Sequence, residues 1–259
     1  LLVITSSQTK KMPEQVIDWF CSETGQMLLS YERQAFDRLA EQVFGFQLLQ
    51  LGYLDEMTPM LVNSQVKHQT VITPDEHPGW QNYFPANFGK LPVMSDSIDA
   101  VVLPHTLDFC VDPQKVLLEV ERILIPEGKL LISGFNPFSL WGMVRKLKGN
   151  RRNIPPFNGH FVSYTRLHDW FLLLGFDVEQ TEVVFFRPPI QNSKVMQKLL
   201  FMEKLGMRLW PGFGAVYMIK AVKRVSTLTP ITPTWKRRPR ILSHIVEPST
   251  RGVNRGKPG

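Results

Sequence analysis

Apolar residues return every three to four positions through Leu28, Leu29, Phe36, Leu39, Ala40 and Val43, and a shorter stretch of the same kind covers residues 13–20. A 3.6-residue period puts such positions on one face, so the spacing predicts helices over 13–20 and 23–44. The pattern then changes. Leu48-Leu49-Gln50-Leu51 is a short apolar run that reaches Gly52 and breaks at Asp55 and Glu56, which predicts a buried strand closed by a turn. A helix is expected over 57–65 and a short strand over 68–73, centred on Val71. Pro74, Pro78, Gly79 and Pro85 then predict an irregular excursion at one edge.

The clearest unit spans 95–138. Ala100 to Leu103 is continuously apolar, as suits a central strand covered on both faces. Asp112 can cap a helix that has Pro113 at its first position and Val116, Leu117, Val120, Ile123 and Leu124 on one face. Pro126 and Gly128 stop that helix, and a second strand follows through Leu130 to Phe135. Strand, helix and strand in this order predict a right-handed parallel crossover. Beyond Phe138 an insert runs to Phe157 with five basic residues between Arg145 and Arg152 and no acid. A helix is expected over 164–174, ended by Gly175, then β-rich segments over 177–186 and 214–224 that flank a helical stretch near 197–207. No internal repeat is visible.

Charge changes the picture only at one end. The chain of 259 residues has a formal net charge of +7, and residues 235–259 hold seven bases against Glu247, a net of +6 that leaves the rest at +1. That stretch is rich in Pro, Gly and Arg without periodicity, which predicts a disordered arm over 226–259, either a solubilising terminus or a weak contact for polyanions. Apolar residues at 43% and charged residues at 20% are ordinary globular values. No run of about 18 apolar residues is present, so a transmembrane helix is not expected. The opening LLVIT is too short for a signal-peptide core. Cys21 and Cys110 are far apart and form no C-x-x-C pair, which argues against a zinc site or a disulfide framework and points to a reducing, cytoplasmic setting. Cys110 reads as a small core hydrophobe.

The stretch from Asn87 to Ser133 resembles the class I S-adenosylmethionine-dependent methyltransferases, in the small-molecule, type 11-like subgroup. That subgroup carries, in order, LPF-x-D-x-SFD, LEH-x-x-DP and R-x-LKPGG. This chain reads Leu91-Pro92-Val93, Asp96-Ser97-Ile98-Asp99, Leu107-Asp108-Phe109, Asp112-Pro113 and Arg122 to Gly128. Ser133 to Gly142, SGFNPFSLWG, is also similar to a narrower bacterial group of methyltransferase-like proteins. The resemblance implies an α/β, Rossmann-like fold: a mostly parallel seven-stranded sheet with helices on both faces. The expected division is a helical lead-in over 1–44, the methyltransferase-like domain over 45–225 and the basic tail over 226–259.

The resemblance also implies a cofactor, S-adenosyl-L-methionine, and places its contacts. The D/E-x-G-x-G-x-G turn of the family falls on Gln50, Gly52 and Tyr53, where only the first glycine is kept and Gln50 stands for the acid. Asn87 and Phe88 fall where the family holds the adenine, and an Asn carbonyl accepts the bond that an Asp would. Asp75 is the candidate for the ribose hydroxyls, with a plain turn acid as its alternative. Pro104 and His105 end the fourth strand beside the expected methyl position. His105, with Asp108, is the catalytic candidate as a general base, the alternative being a structural histidine. The N-P-P-Y/F motif of exocyclic-amine methyltransferases is replaced by Leu103-Pro104-His105-Thr106, which disfavours a nucleobase amine as acceptor. Asn136, Phe138, Trp141 and Tyr164 are the substrate-side candidates, with loop packing as their alternative, and no metal ligands are expected. The Arg145 to Arg152 cluster could serve an anionic substrate, rest on a membrane surface or be a solvated basic face. Three readings stay open: a methyltransferase with a small acceptor, a non-catalytic interaction module on the same fold, and a nucleic-acid-associated protein using the tail.

Overall fold

The computed structural model describes residues 14–52, 54, 60–61, 65–74, 83–147, 156–190 and 193–224. Expectations for the tail, for most of 57–65 and of 74–82, and for the insert between 148 and 155 lie outside the described residues, as do the candidates Tyr53 and Asp75. In chain order the elements are α1 (Glu14–Cys21), α2 (Glu23–Ala40), β1 (Gln47–Leu51), β2 (His68–Thr73), β3 (Tyr83–Pro85), β4 (Ile98–Pro104), α3 (Thr106–Phe109) and α4 (Pro113–Ile123). There follow β5 (Leu124–Phe135), α5 (Leu140–Leu147), α6 (Tyr164–Leu174), β6 (Phe176–Val184), α7 (Ser193–Lys198), α8 (Phe201–Leu209) and β7 (Val216–Lys223).

The seven strands form one sheet in the order β3-β2-β1-β4-β5-β7-β6. All neighbours are parallel except β7, which runs antiparallel to both β5 and β6. Successive residues of β4 explain its continuous apolar run: Ala100 and Val102 face one core cluster, Val101 and Leu103 the other. On the first face lie α1, α2 and Trp141 of α5; on the second lie α4 and α6. Val116, Leu117, Val120 and Ile123 of α4 are all buried, each stabilising by roughly 1.5–3 kcal/mol.

Local chemistry fixes the ends. Asp112 accepts from the Lys115 amide at 3.2 Å and Pro113 opens α4, as its sequence dictates. Ser163 caps α6, and Gly175 ends it in the left-handed region at φ 76. The motif residues shared with the resembled family are clamps. Arg122 donates to the carbonyls of Leu91 and Val93 at 3.0 and 2.8 Å and to Glu119 at 2.9 Å, pinning the loop that enters β4. Asp99 accepts from the amides of Phe46 and Gln47 at 3.0 and 2.9 Å, setting the start of β1.

The N-terminal helices of the lead-in pack onto the domain: α2 lies on β5, β6 and β7, and both helices fall in the same compact unit as the sheet. The insert after Phe138 opens with a helix, α5, whose Trp141 is 1% exposed. Among the described residues no helix is long and apolar enough to cross a membrane.

Candidate active site

In the sheet order, the connection from β1 runs outward to β2, whereas β4 lies on its other side. Ligands in open α/β sheets sit beyond the carboxyl ends of the strands at such a reversal. Gly52 closes β1 there with φ 86, a conformation that side chains with a Cβ avoid. A Cβ at this position would lie 3.3 Å from the Thr106 hydroxyl and 3.8 Å from the Phe88 ring. Thr106, at the end of β4, holds the two strand ends together by donating its hydroxyl to the Leu51 carbonyl. Space kept clear by a glycine, between a buried phenyl ring and a neighbouring strand end, fits the approach of a nucleoside-bearing cofactor. The contribution of Gly52 is room and not a donor, because its N–H bonds the Ile72 carbonyl at 2.8 Å.

Gln50 behaves otherwise than a carboxylate at this position would. It is buried, its Nε2 donates to the Gly52 carbonyl at 2.9 Å, and its Oε1 accepts from the Met60 amide at 2.8 Å. Both ends of the amide are thus spent on closing the chain from 52 back to 60, a pairing that a carboxylate, which cannot donate, would not make. Gln50 thus acts as a loop clamp, with one N–H and one lone pair of its amide left over. Asn87 is exposed, and its Oδ1 accepts from the Gly89 amide at 2.8 Å, which orders the turn that carries Phe88. Pro104 is buried at the end of β4.

His105 follows in the left-handed region at φ 51 and is fully buried. Its Nδ1 lies 2.8 Å from Asp108 Oδ2 and its Nε2 lies 2.9 Å from Glu32 Oε1. Both carboxylates are fully buried too. The Phe135 amide donates to Asp108 Oδ2 at 2.8 Å, and the rings of Phe135 and Phe20 lie 4.2 and 5.5 Å from the imidazole. Burial opposes the charged ring, but the charge of Glu32 and the hydrogen bonds that the ring donates to both acids outweigh it and raise His105 to about 9. Burial likewise pushes the Asp108 carboxyl up, against the pull of His105 and the Phe135 amide. Cys110, close by and buried, is pushed up to about 12 by the same burial and by the Asp108 charge.

This geometry supports the structural alternative for His105 over the general base. An imidazole already protonated at neutral pH, with both nitrogens engaged and no exposed surface, has no lone pair to take a proton. His105 and Asp108 instead tie α2, α3 and β5 together beneath the strand ends. Glu32 is the partner that sequence reasoning missed. Its signal was present: it sits within the apolar stripe of α2, among Leu28, Leu29, Ala35 and Phe36, where an acid is either buried with a partner or out of register.

The substrate-side candidates separate into two pairs. Asn136 and Trp141 are buried and make packing contacts. Asn136 donates to the carbonyls of Gly212 and Gly214 at 2.8 and 3.0 Å and accepts from the Phe138 amide, joining the end of β5 to the start of β7. Trp141 donates its indole N–H to the Arg187 carbonyl at 2.8 Å inside an aromatic cluster with Trp19, Phe135 and Phe185. Phe138 and Tyr164, in contrast, are exposed. Of the basic cluster, Arg145 is committed to the carbonyls of Phe157 and Gly159 at 3.0 and 2.7 Å, while Lys146 is exposed over the Phe138 ring.

The chain matches the family described as Methyltransferase domain over residues 39–132. The Escherichia coli K12 protein YafS, described as uncharacterized, is 34% identical over 205 residues, covering 77% of this chain and 78% of YafS. Among solved structures, a Thermotoga maritima S-adenosylmethionine-dependent methyltransferase aligns with TM-score 0.55 and 19% identity over 80% of this chain and 93% of its own. The cyclase SpnF aligns with TM-score 0.52 and 16% identity over 74% of this chain and 81% of its own. At such identities the structural likeness speaks of fold alone. With the family match, the ordered motifs between Leu91 and Gly128 and the strand order that carries them, the chain belongs to the class I S-adenosylmethionine-dependent methyltransferase family.

Proposed function

We propose that the chain is an S-adenosylmethionine-dependent methyltransferase acting on a small acceptor. The observation that carries this reading is Gly52 at φ 86, holding open a space bounded by Thr106 and Phe88 at the β1/β4 reversal. Gly52, Phe88 and the backbone at Pro104 are the residues assigned to hold the cofactor, with Asn87 offering its remaining amide capacity to the adenine edge. When bound, the cofactor supplies an electrophilic methyl group on a sulfonium, and displacement there needs alignment and dehydration of the nucleophile more than proton removal. Tyr53 and Asp75 remain proposed contacts for the methionine side and the ribose.

The absence of a free base at His105 narrows the acceptor. An oxygen or carbon nucleophile already ionised at neutral pH needs no base, which favours a small, partly apolar acid. Exposed Phe138 and Tyr164 are the proposed contacts for its apolar part. Charge for its acidic part is proposed from Lys146, since Arg145 is held by carbonyl groups and Trp141 is core. A second reading has its own support: Gln50 is turned into the loop and the triad is sealed, as an interaction module on the same fold would allow.

The test is label transfer from methyl-labelled cofactor into a cell metabolite extract. The expected result is label in a small organic acid or its ester, at least tenfold less with Gly52→Val, whose side chain meets Thr106 and Phe88. Circular dichroism confirms that the variant is folded. Label confined to RNA, DNA or protein contradicts the small-acceptor reading, and cofactor binding without any transfer favours the interaction module.

A further inference from the structure

A second apolar concavity lies between α5 and α8, beyond the ends of β5 and β6 and away from the β1/β4 reversal. It encloses about 440 Å³ and is lined by Leu140, Met143, Leu205, Trp210 and Phe213 among others. These five side chains are 40–55% exposed, and Leu147, Phe201 and Leu209 extend the same apolar character along both helices. Contiguous exposure on this scale marks a surface that is covered in use.

Among the described residues, the exposed charged side chains of α5, α7 and α8 are of one sign. Lys146, Lys198, Lys204 and Arg208 are exposed. The acid of α8, Glu203, is turned inward onto Arg187 at 2.8 Å, and α5 and α7 contain no acid. The sequence has no acid between Glu127 and Asp169, and Glu203 is the sole acid between Glu182 and Val225. An apolar groove with a Trp at its rim and an all-positive border complements a surface that offers hydrocarbon behind negative headgroups. The chain's own C-terminal stretch, at +6, carries the wrong sign to cover it.

We propose that the α5/α8 face docks on an anionic phospholipid bilayer, with Trp210 and Phe213 entering the interface and an acyl chain reaching the cavity. Lys146, Lys204 and Arg208 supply attraction to the headgroups; the aromatic and aliphatic side chains supply the part of the binding that salt does not screen.

The test is co-flotation of the full-length protein with vesicles of phosphatidylglycerol and phosphatidylethanolamine, against vesicles of phosphatidylcholine alone. The expected result is binding to the anionic vesicles at 0.15 M salt, reduced at least tenfold by Trp210→Glu with Phe213→Glu and also by Lys204→Glu with Arg208→Glu. Acyl chains brominated near the headgroup should quench tryptophan fluorescence in wild type and less so in Trp210→Phe, which shows insertion and not mere adsorption. Vesicle binding unaffected by either double variant assigns it to the basic tail and overturns the proposal. A dimer in sedimentation that Trp210→Glu dissociates, without vesicle binding, overturns it in favour of a second copy.

Discussion

Replacing His105 with Ala should lower the unfolding free energy by about 3–5 kcal/mol, the range for removing one partner from a buried ion pair. The imidazolium lies between Glu32 and Asp108 at 2.9 and 2.8 Å, with all three side chains fully buried. Without it two carboxyl groups face a cavity in an aromatic cluster, and at least one must take up a proton for the fold to persist. The wild-type protein should also lose stability as pH rises. The folded pKa of His105, about 9, lies above its ordinary value of 6.5. The stabilisation is thus complete below 6.5 and lost as pH climbs through 9, an effect on the order of 3 kcal/mol. Asp108, also raised, contributes with the same sign at its lower range. Cys110 and Tyr217, raised to about 12 and well above 10, stay neutral across this window. Urea denaturation at pH 6 and pH 9 of wild type and His105→Ala measures both effects, and the variant should show the flatter profile. Stability of wild type that rises across this interval means a neutral buried imidazole and contradicts the arrangement.

The second large effect is expected at Arg187. This guanidinium is 1% exposed and reaches Glu203 at 2.8 Å, the Met196 carbonyl at 3.1 Å and the faces of Tyr31 and Phe185. Its own carbonyl receives the Trp141 indole, while Glu203 also accepts from the Phe186 amide at 3.1 Å. One residue thereby fastens α2, α5, α7 and α8 behind the apolar groove. Arg187→Met or Glu203→Gln should each cost about 3–5 kcal/mol, because the partner left behind stays buried and charged. The double variant Arg187→Met with Glu203→Gln should cost less than the sum of the two, as expected for a pair in contact. Denaturation of the three proteins gives the coupling; strict additivity contradicts a direct pair.

Much of the architecture was legible because single elements carried their own signals. The unit from β4 to β5 is an example: a strand apolar on both faces, Asp112-Pro113 at a helix start, and an apolar stripe that ends where β5 begins. What could not be read depends on residues distant in sequence. Nothing near Arg187 announces Glu203, and nothing near His105 announces Glu32, although the place of Glu32 in an apolar stripe was a hint. For Trp141 both alternatives, substrate contact and packing, were legible, and the side chain is buried because Trp141 and Val144 are spaced to face inward on α5 while Lys146 and Leu147 point out. The bonds of Gln50 were not legible either, because its amide donates and accepts within a loop whose far end is ten residues away.

The central claim is that the space kept by Gly52 receives the cofactor. Calorimetric titration with S-adenosylhomocysteine tests it most directly, since binding is measured without knowledge of the acceptor. The account predicts one-site binding to wild type with Kd below about 1 mM, lost in a folded Gly52→Val variant. No heat and no thermal shift for folded wild type at that concentration would contradict it.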